Sequence, residues 1–159
     1  MINYLRRHKI RTAIGCLLLL WYIFCLPRTL FKEGYATIVE SREGKLLGGK
    51  IAPDGQWRFP ERDTVPHKLR EALLAYEDAH FYYHWGVNPV STTKALLTNL
   101  RHGRTIRGGS TLTQQVIRLA RKNKARTYGE KLVEAIWATR LEFRYSKEKI
   151  LALYASHAP

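Results

Sequence analysis

Glu77 and Asp78 stand side by side, just before a run of rings comprising Phe81, Tyr82, Tyr83, His84 and Trp85. A carboxylate among aromatic rings is poorly solvated, which suits it to take a proton from a hydroxyl as a general base. Taken alone, the pattern favours a plainer reading: an acidic pair at a helix end caps or forms a salt bridge, and a histidine among rings makes a structural hydrogen bond. A second segment is more distinctive. Arg107-Gly108-Gly109-Ser110-Thr111-Leu112-Thr113-Gln114-Gln115 puts two glycines, which let backbone approach a ligand, ahead of hydroxyl and amide side chains entering a helix. The amino end of such a helix favours anions. No Gly-Lys-Ser/Thr follows, so this is not a phosphate-cradling Walker loop. A Ser-capped helix after a Gly-Gly break explains the glycines but not the adjacent glutamines.

Nine basic residues lie between Arg101 and Lys131 (Arg101, Arg104, Arg107, Arg118, Arg121, Lys122, Lys124, Arg126 and Lys131) against one acid, Glu130. A stretch so charged either meets an anionic ligand or forms a solvated or lipid-facing surface, and the plainer alternative applies to Arg121, Lys122 and Lys124 individually. The whole chain shares the bias: 159 residues carry 27 Lys+Arg and 13 Asp+Glu, for a formal charge of +14. Charge fixes the sign of the partner and no more. With 45% hydrophobic and 11% aromatic residues, there is enough apolar material for a core, which excludes wholesale disorder. The two cysteines, Cys16 and Cys25, both fall in the most apolar run and staple nothing, and no Cys/His spacing suggests a metal site.

These residues need elements to position them. Residues 1–11 carry Arg6, Arg7, Lys9 and Arg11 with no acid, and Thr12 to Leu26 holds no charge at all. That run reaches roughly 22 Å as a helix, short of a ~30 Å hydrocarbon core unless Arg28 snorkels and Leu30-Phe31 join it. A cleaved signal should end in small residues, whereas this run ends Phe24-Cys25-Leu26-Pro27-Arg28. The expectation is an uncleaved transmembrane signal anchor over 12–31, with a cytoplasmic basic tail over 1–11 and everything after about residue 32 outside the inner membrane. Tyr35–Ser41 and Lys45–Ala52 are β-forming runs separated by an Arg42-Glu43-Gly44 turn, within a β-rich linker over 32–62. A helix follows Asp63, with Thr64 as cap, Pro66 in its first turn and Leu69, Ala72, Leu73 and Tyr76 at helical spacing. Further helices are expected at about 90–101, ending at Gly103, and at 110–122, 127–144 and 147–156, the last capped by Ser146.

Taken in order, the residues are jointly specific. Glu77 to Gly86 resembles the first motif of the family-51 glycosyltransferases, E-D-x-x-F-x-x-H-x-G, and Gly108–Gln115 matches the family's G-G-S-T-[IL]-T-Q-Q segment residue for residue. Arg126 to Ala135 and Ser146 to Tyr154 look like the third and fourth motifs. The family holds the peptidoglycan glycosyltransferase domains of class A penicillin-binding proteins. Gly55–Phe59 and Ser156–Pro159 look most like its 1C subgroup. The resemblance implies a mainly α, lysozyme-like helical domain, incomplete over 63–159. It also implies an inverting transfer in which the 4-hydroxyl of lipid II's GlcNAc attacks the anomeric carbon of the growing chain's MurNAc and expels undecaprenyl pyrophosphate. Glu77 would be the base. Glu134 would assist at the pyrophosphate or position the donor, and Arg118 and Arg126 would meet that group, Arg118 standing where the family commonly has Lys. Ser110, Thr111, Gln114 and Gln115 would line the cleft, and Asp78, His84, Arg107, Gly109 and Lys131 complete the expected substrate contacts. Moenomycin-type inhibitors and membrane lipid are the other implied partners. No cofactor is required, and a divalent cation is left open.

Departures qualify the match. The third motif reads Glu130-Lys131 where the family has Arg-Lys, and the fourth reads Tyr154-Ala155-Ser156 where it has Tyr-Leu-Asn. The chain stops before the fifth motif and before any transpeptidase centre. The expectation is therefore a truncated lobe, its activity alone left open, with Trp137, Leu141 and Ile150 left without packing partners. A membrane-tethered hydrolase or glycan binder on the same fold is the competing reading, using water as acceptor. It leaves the basic run without a task. Nucleic acid is not an expected partner: no binding motif is present, and an external location removes the ligand.

Overall fold

The computed structural model describes residues 8–106, 108–122, 124 and 127–158, and divides into two units, one ending at Leu30 and one beginning at Phe31. In the first, helix α1 spans Lys9–Phe24. Its 16 residues extend about 24 Å at ~1.5 Å each, less than a ~30 Å hydrocarbon core. Among the described residues, no helix is long and apolar enough to cross a membrane. The helix covers the expected 12–31 segment only as far as Phe24. The reason is local: Pro27 disfavours helical backbone at the residue before it, so Leu30 and Phe31 fall outside the helix.

The second unit begins with a hairpin. Strands β1 (Thr37–Glu40) and β2 (Leu46–Lys50) pair antiparallel, with Thr37 opposite Lys50 and a register irregularity between Val39 and Glu40. Gly44, at φ 78°, closes the turn, where its amide donates to the Ser41 carbonyl at 3.0 Å. Helix α2 (His67–Glu77) follows, then a 3-10 turn (Phe81–Tyr83), α3 (Pro89–His102), α4 (Leu112–Ala120), α5 (Tyr128–Glu142) and α6 (Lys147–His157). The mainly helical expectation holds, and each expected helix lies within a few residues of its place. Its caps are partly different. Pro66 occupies the cap position of α2 and Thr64 makes no cap there, while Asn88 caps α3 by accepting from the Ser91 amide at 3.0 Å. Gly103 ends α3 in the left-handed region, and Ser146 caps α6 as expected.

The core lies around α4, which packs on α5 and on α6. Leu112, Val116 and Ile117 of α4, Leu141 of α5 and Ile150 of α6 are completely inaccessible, and Phe81 joins them from the 3-10 turn. Each such side chain contributes about 1.5–3 kcal/mol by leaving water. Leu141 and Ile150 therefore have their packing partners, contrary to expectation, and Trp137 carries the Arg121 guanidinium over its ring at 4.5 Å. The apolar stripe of α2 is not a core face. None of its residues is buried, Tyr76 is 88% exposed, and α3 likewise exposes Val90, Leu96, Leu97 and Leu100.

Candidate active site

Two carboxylates from different helices meet one face of α4. Glu77, the last residue of α2, accepts a hydrogen bond at Oε2 from Gln115 Nε2 at 2.6 Å. Three residues along α4, Arg118 grips Glu134 of α5 with two bonds, Nε to Oε1 at 2.9 Å and Nη2 to Oε2 at 2.8 Å. Residues i and i+3 of a helix are neighbours on its surface, so Gln115 and Arg118 set the two acids along one stripe. The same Nη2 donates to Ser110 Oγ at 3.3 Å. This two-pronged geometry is available to an arginine and not to a lysine. Glu134 is buried, and its carboxylate raises the proton affinity of the Arg118 guanidinium, against the opposing effect of partial burial.

Tyr154 of α6 reaches the same point from below. Its hydroxyl donates to Gln115 Oε1 at 3.3 Å. Burial, then the nearby Glu77 charge and a hydrogen bond to that carboxylate, push the phenol up to about 12, so it stays protonated at neutral pH. The rings expected around Glu77 lie elsewhere. Phe81 is in the core, Tyr83 and Trp85 are exposed, and Trp85 meets Phe143 edge-on at 5.3 Å between centroids. The immediate partners of Glu77 are an amide and a phenol.

Behind this face sits a buried polar brace. Asp78 turns inward and accepts at Oδ2 from the Leu112 amide at 3.1 Å, with the His84 ring nitrogen Nε2 at 2.9 Å from the same oxygen. Thr111 donates to the Gly86 carbonyl at 2.6 Å and accepts from the Gln114 amide at 3.2 Å, while Gln114 Oε1 accepts from the Thr111 amide at 2.9 Å. That is a capping box on α4. Gly86, at φ 79°, lies so close to α5 that a Cβ there would fall 2.6 Å from the Ala138 carbonyl. Gly109 is pressed against α3, where a Cβ would fall 2.9 Å from that of Ala95. Thr113, Glu142 and Lys147 complete the brace: Thr113 Oγ1 donates to Glu142 Oε1 at 2.6 Å, Lys147 Nζ donates to that oxygen at 2.8 Å, and Lys147 also donates to the His84 carbonyl at 2.7 Å.

Of the residues expected to bind substrate, Glu77, Gln115, Arg118, Ser110 and Glu134 come together. Asp78, His84, Thr111, Gln114 and Gly109 lie in the interior, where they hold the loop and the helix start in place. Lys131 is exposed on α5, one turn before Glu134. Arg107 and Arg126 lie outside the described residues. The basic run is partly neutralised: besides Arg118, Arg121 pairs with Glu130 and Lys122 lies 3.9 Å from Glu33. Sequence reasoning gave no role to Tyr154 or Gly86. The Thr-x-x-Gln spacing of the capping box was readable.

A separate cavity of about 290 Å³ lies between the linker and the ends of α4 and α6, lined by Phe31, Glu33, Asp54, Gln56, Arg58, Leu119, Lys122 and His157. Its charges are mutually engaged. Arg58 meets Asp54 at 2.6 Å, and the Phe31 ring stacks on His157 at 3.5 Å. Burial lowers the proton affinity of His157, opposed by its bond to the Leu153 carbonyl and by Glu61 and Glu33, with Arg58 acting in the same sense as burial.

Residues 47–159 match the model of a family described as Transglycosylase. The chain is 42% identical to penicillin-binding protein 1C of Escherichia coli over 135 residues, covering 84% of this chain and 17% of that protein. It is 45% identical to penicillin-binding protein 1B of Vibrio cholerae over 114 residues, 70% of this chain and 14% of the relative, and 44% identical to the 1B protein of Escherichia coli over 111 residues, 69% and 13%. The chain thus spans less than a fifth of the length of these curated relatives.

Proposed function

That the chain belongs to the transglycosylase family, family 51 of the glycosyltransferases, is the premise from which we propose its activity: polymerisation of lipid II into peptidoglycan strands for the cell wall. One observation carries the reading: Glu77 and Glu134 are held by Gln115 and Arg118 along a single stripe of α4. Glu77 takes the proton of the attacking GlcNAc 4-hydroxyl as its oxygen bonds to the anomeric carbon of MurNAc. The bond from that carbon to the undecaprenyl pyrophosphate breaks, and the leaving group takes the electron pair. The departing charge is met by Arg118, by Arg126 and by the amino end of α4, as anionic leaving groups require. Glu134 orients Arg118 and is displaced toward the donor side when the pyrophosphate arrives. Moenomycin, a phosphoglycolipid, competes at the same cations.

The exposed apolar residues of α2 and α3 support a substrate presented by a lipid tail at a bilayer. On this reading the basic amino terminus lies in the cytoplasm, and the domain lies outside the inner membrane. A reporter fused after residue 40 is accessible from outside; cytoplasmic protection of that reporter contradicts the topology.

The deciding assay is glycan-chain formation from labelled lipid II. It is run on the 159-residue chain and on the chain extended with the sequence that follows the matched region in the Escherichia coli 1C relative. Glu77→Gln keeps shape and removes the base, so polymerisation falls by about 10²–10⁴-fold while lipid II still binds. Polymerisation at the parent rate makes Glu77 a structural carboxylate and ends this mechanism.

A further inference from the structure

Gln115 stands between an acceptor that cannot donate and a phenol that can do either. Its amide touches Glu77 Oε2 with Nε2 at 2.6 Å, and Tyr154 with Oε1 at 3.3 Å. Reversing the amide would set a carbonyl oxygen against a carboxylate, which repels, and an N–H against a hydroxyl that would have to turn its proton away. With the amide so oriented, its N–H goes to the carboxylate, and the phenol O–H has both the amide oxygen and the nearby Glu77 carboxylate as acceptors. Tyr154 is 7% exposed, so the hydroxyl has little water to turn to, and buried phenols require a partner. The backbones are equally constrained. Tyr154 sits on α6 and Gln115 on α4, helices that pack directly on each other in the core.

From this geometry we propose that Tyr154 is a positioning residue for the general base: directly and through Gln115 it fixes the edge and rotation of the Glu77 carboxylate. This rests on the reading of Glu77 as the base given above. Aligned hydrogen bonds of this kind polarise one another, so the phenol also strengthens the grip of the amide on the carboxylate. Its elevated proton affinity means that the phenol remains the donor across the neutral range. Tyr154 neither touches the sugar nor exchanges a proton in the reaction. The proton leaving the acceptor hydroxyl passes to Glu77, and the chain of donors stays as it is. Its contribution is to keep the receiving oxygen in register with the attacking one, where a small rotation lengthens the proton transfer.

The test uses Tyr154→Phe, which removes one oxygen from a side chain whose ring stays packed. In the 159-residue chain, the side-chain amide of Gln115 is followed by NMR after ¹⁵N labelling, with Gln115→Met to assign it. The parent shows two well-separated amide protons, the low-field one donating to Glu77. In Tyr154→Phe they move together as the amide gains rotational freedom. In the polymerisation assay on the extended chain, Tyr154→Phe lowers kcat by about three- to tenfold, the equivalent of one modest hydrogen bond, and leaves KM unchanged. Unaltered amide resonances overturn the proposal, as does an unaltered kcat or a rise confined to KM, which would make Tyr154 a substrate contact. If Glu77→Gln polymerises at the parent rate, the reading of Glu77 as base fails and positioning fails with it, even where the amide responds. A responding amide with normal turnover refutes positioning alone.

Discussion

The two sides of α4's amino end are built from neighbouring residues that do opposite things. Toward the open face, Glu77, Ser110 and Gln115 stay partly accessible, and two of them hold the groups proposed to meet substrate. Toward the interior, the very next residues, Asp78 and Thr111, and the preceding one, Gln114, bury their polar atoms in bonds to backbone and to one another. Successive residues at a helix end point in different directions, so each of these pairs gives one member to the site and one to its support. What holds the open side in position is the closed side. Asp78 ties the end of α2 to the first turn of α4 across 34 residues of chain, and Glu77 is placed by that tie.

If the division is real, Glu77→Gln and Asp78→Ala must fail differently. The first loses turnover by about 10²–10⁴-fold with its melting temperature unchanged. The second leaves the Leu112 amide and His84 without their buried acceptor and costs about 2–4 kcal/mol of stability, read by thermal or denaturant unfolding. An Asp78→Ala chain that melts like the parent breaks the comparison. Ser110 and Thr111 sharpen it at smaller scale. Thr111→Ala removes the cap of α4 and its bond to Gly86, for about 1–2 kcal/mol, whereas Ser110→Ala changes stability by less than ~0.5 kcal/mol. Equal losses would mean that both hydroxyls serve the scaffold.

The smallest expected effect comes from a region outside both faces, the contact of the linker with α6. Burial favours the neutral ring of His157, so its folded proton affinity lies below the ordinary value of 6.5. On acidification the unfolded chain takes up the proton first. The stabilising contribution of the neutral ring is complete above about pH 6.5 and is lost as pH falls through the lower folded value. His157→Gln flattens that part of the stability curve, measured by unfolding midpoints across pH 5–8. An unchanged slope would assign the acid sensitivity to other groups.

Much of this was legible beforehand, for physical reasons that differ between elements. Gly103 and Ser146 are local signals, and they located helix ends to within a few residues. Glu77 and the Gly108–Gln115 segment were legible as a candidate site because their order is specific, and Gln115 does meet Glu77. Which of Gln114 and Gln115 faces outward was not, since two adjacent amides look alike until the core chooses Leu112, Val116 and Ile117 as its contacts. The bonds of Asp78 and Tyr154 are tertiary, across 34 and 39 residues, and leave no periodic trace. The end of α1 at Phe24 was not legible, since hydropathy runs on past Pro27, which disfavours helical backbone at the residue before it.

The grip of Arg118 on Glu134 has a thermodynamic consequence for any anion that comes to the site. Its seat is taken, so binding there is an exchange: the newcomer gains only the difference between its own pairing with the guanidinium and the one it displaces. A single carboxylate, matched to Glu134 in charge and shape, gains almost nothing by the swap. A diphosphate brings more charge and more acceptor oxygens to the same fork, and so stands to gain more by the exchange. The internal acid thereby acts as a filter, discounting weak anions in advance.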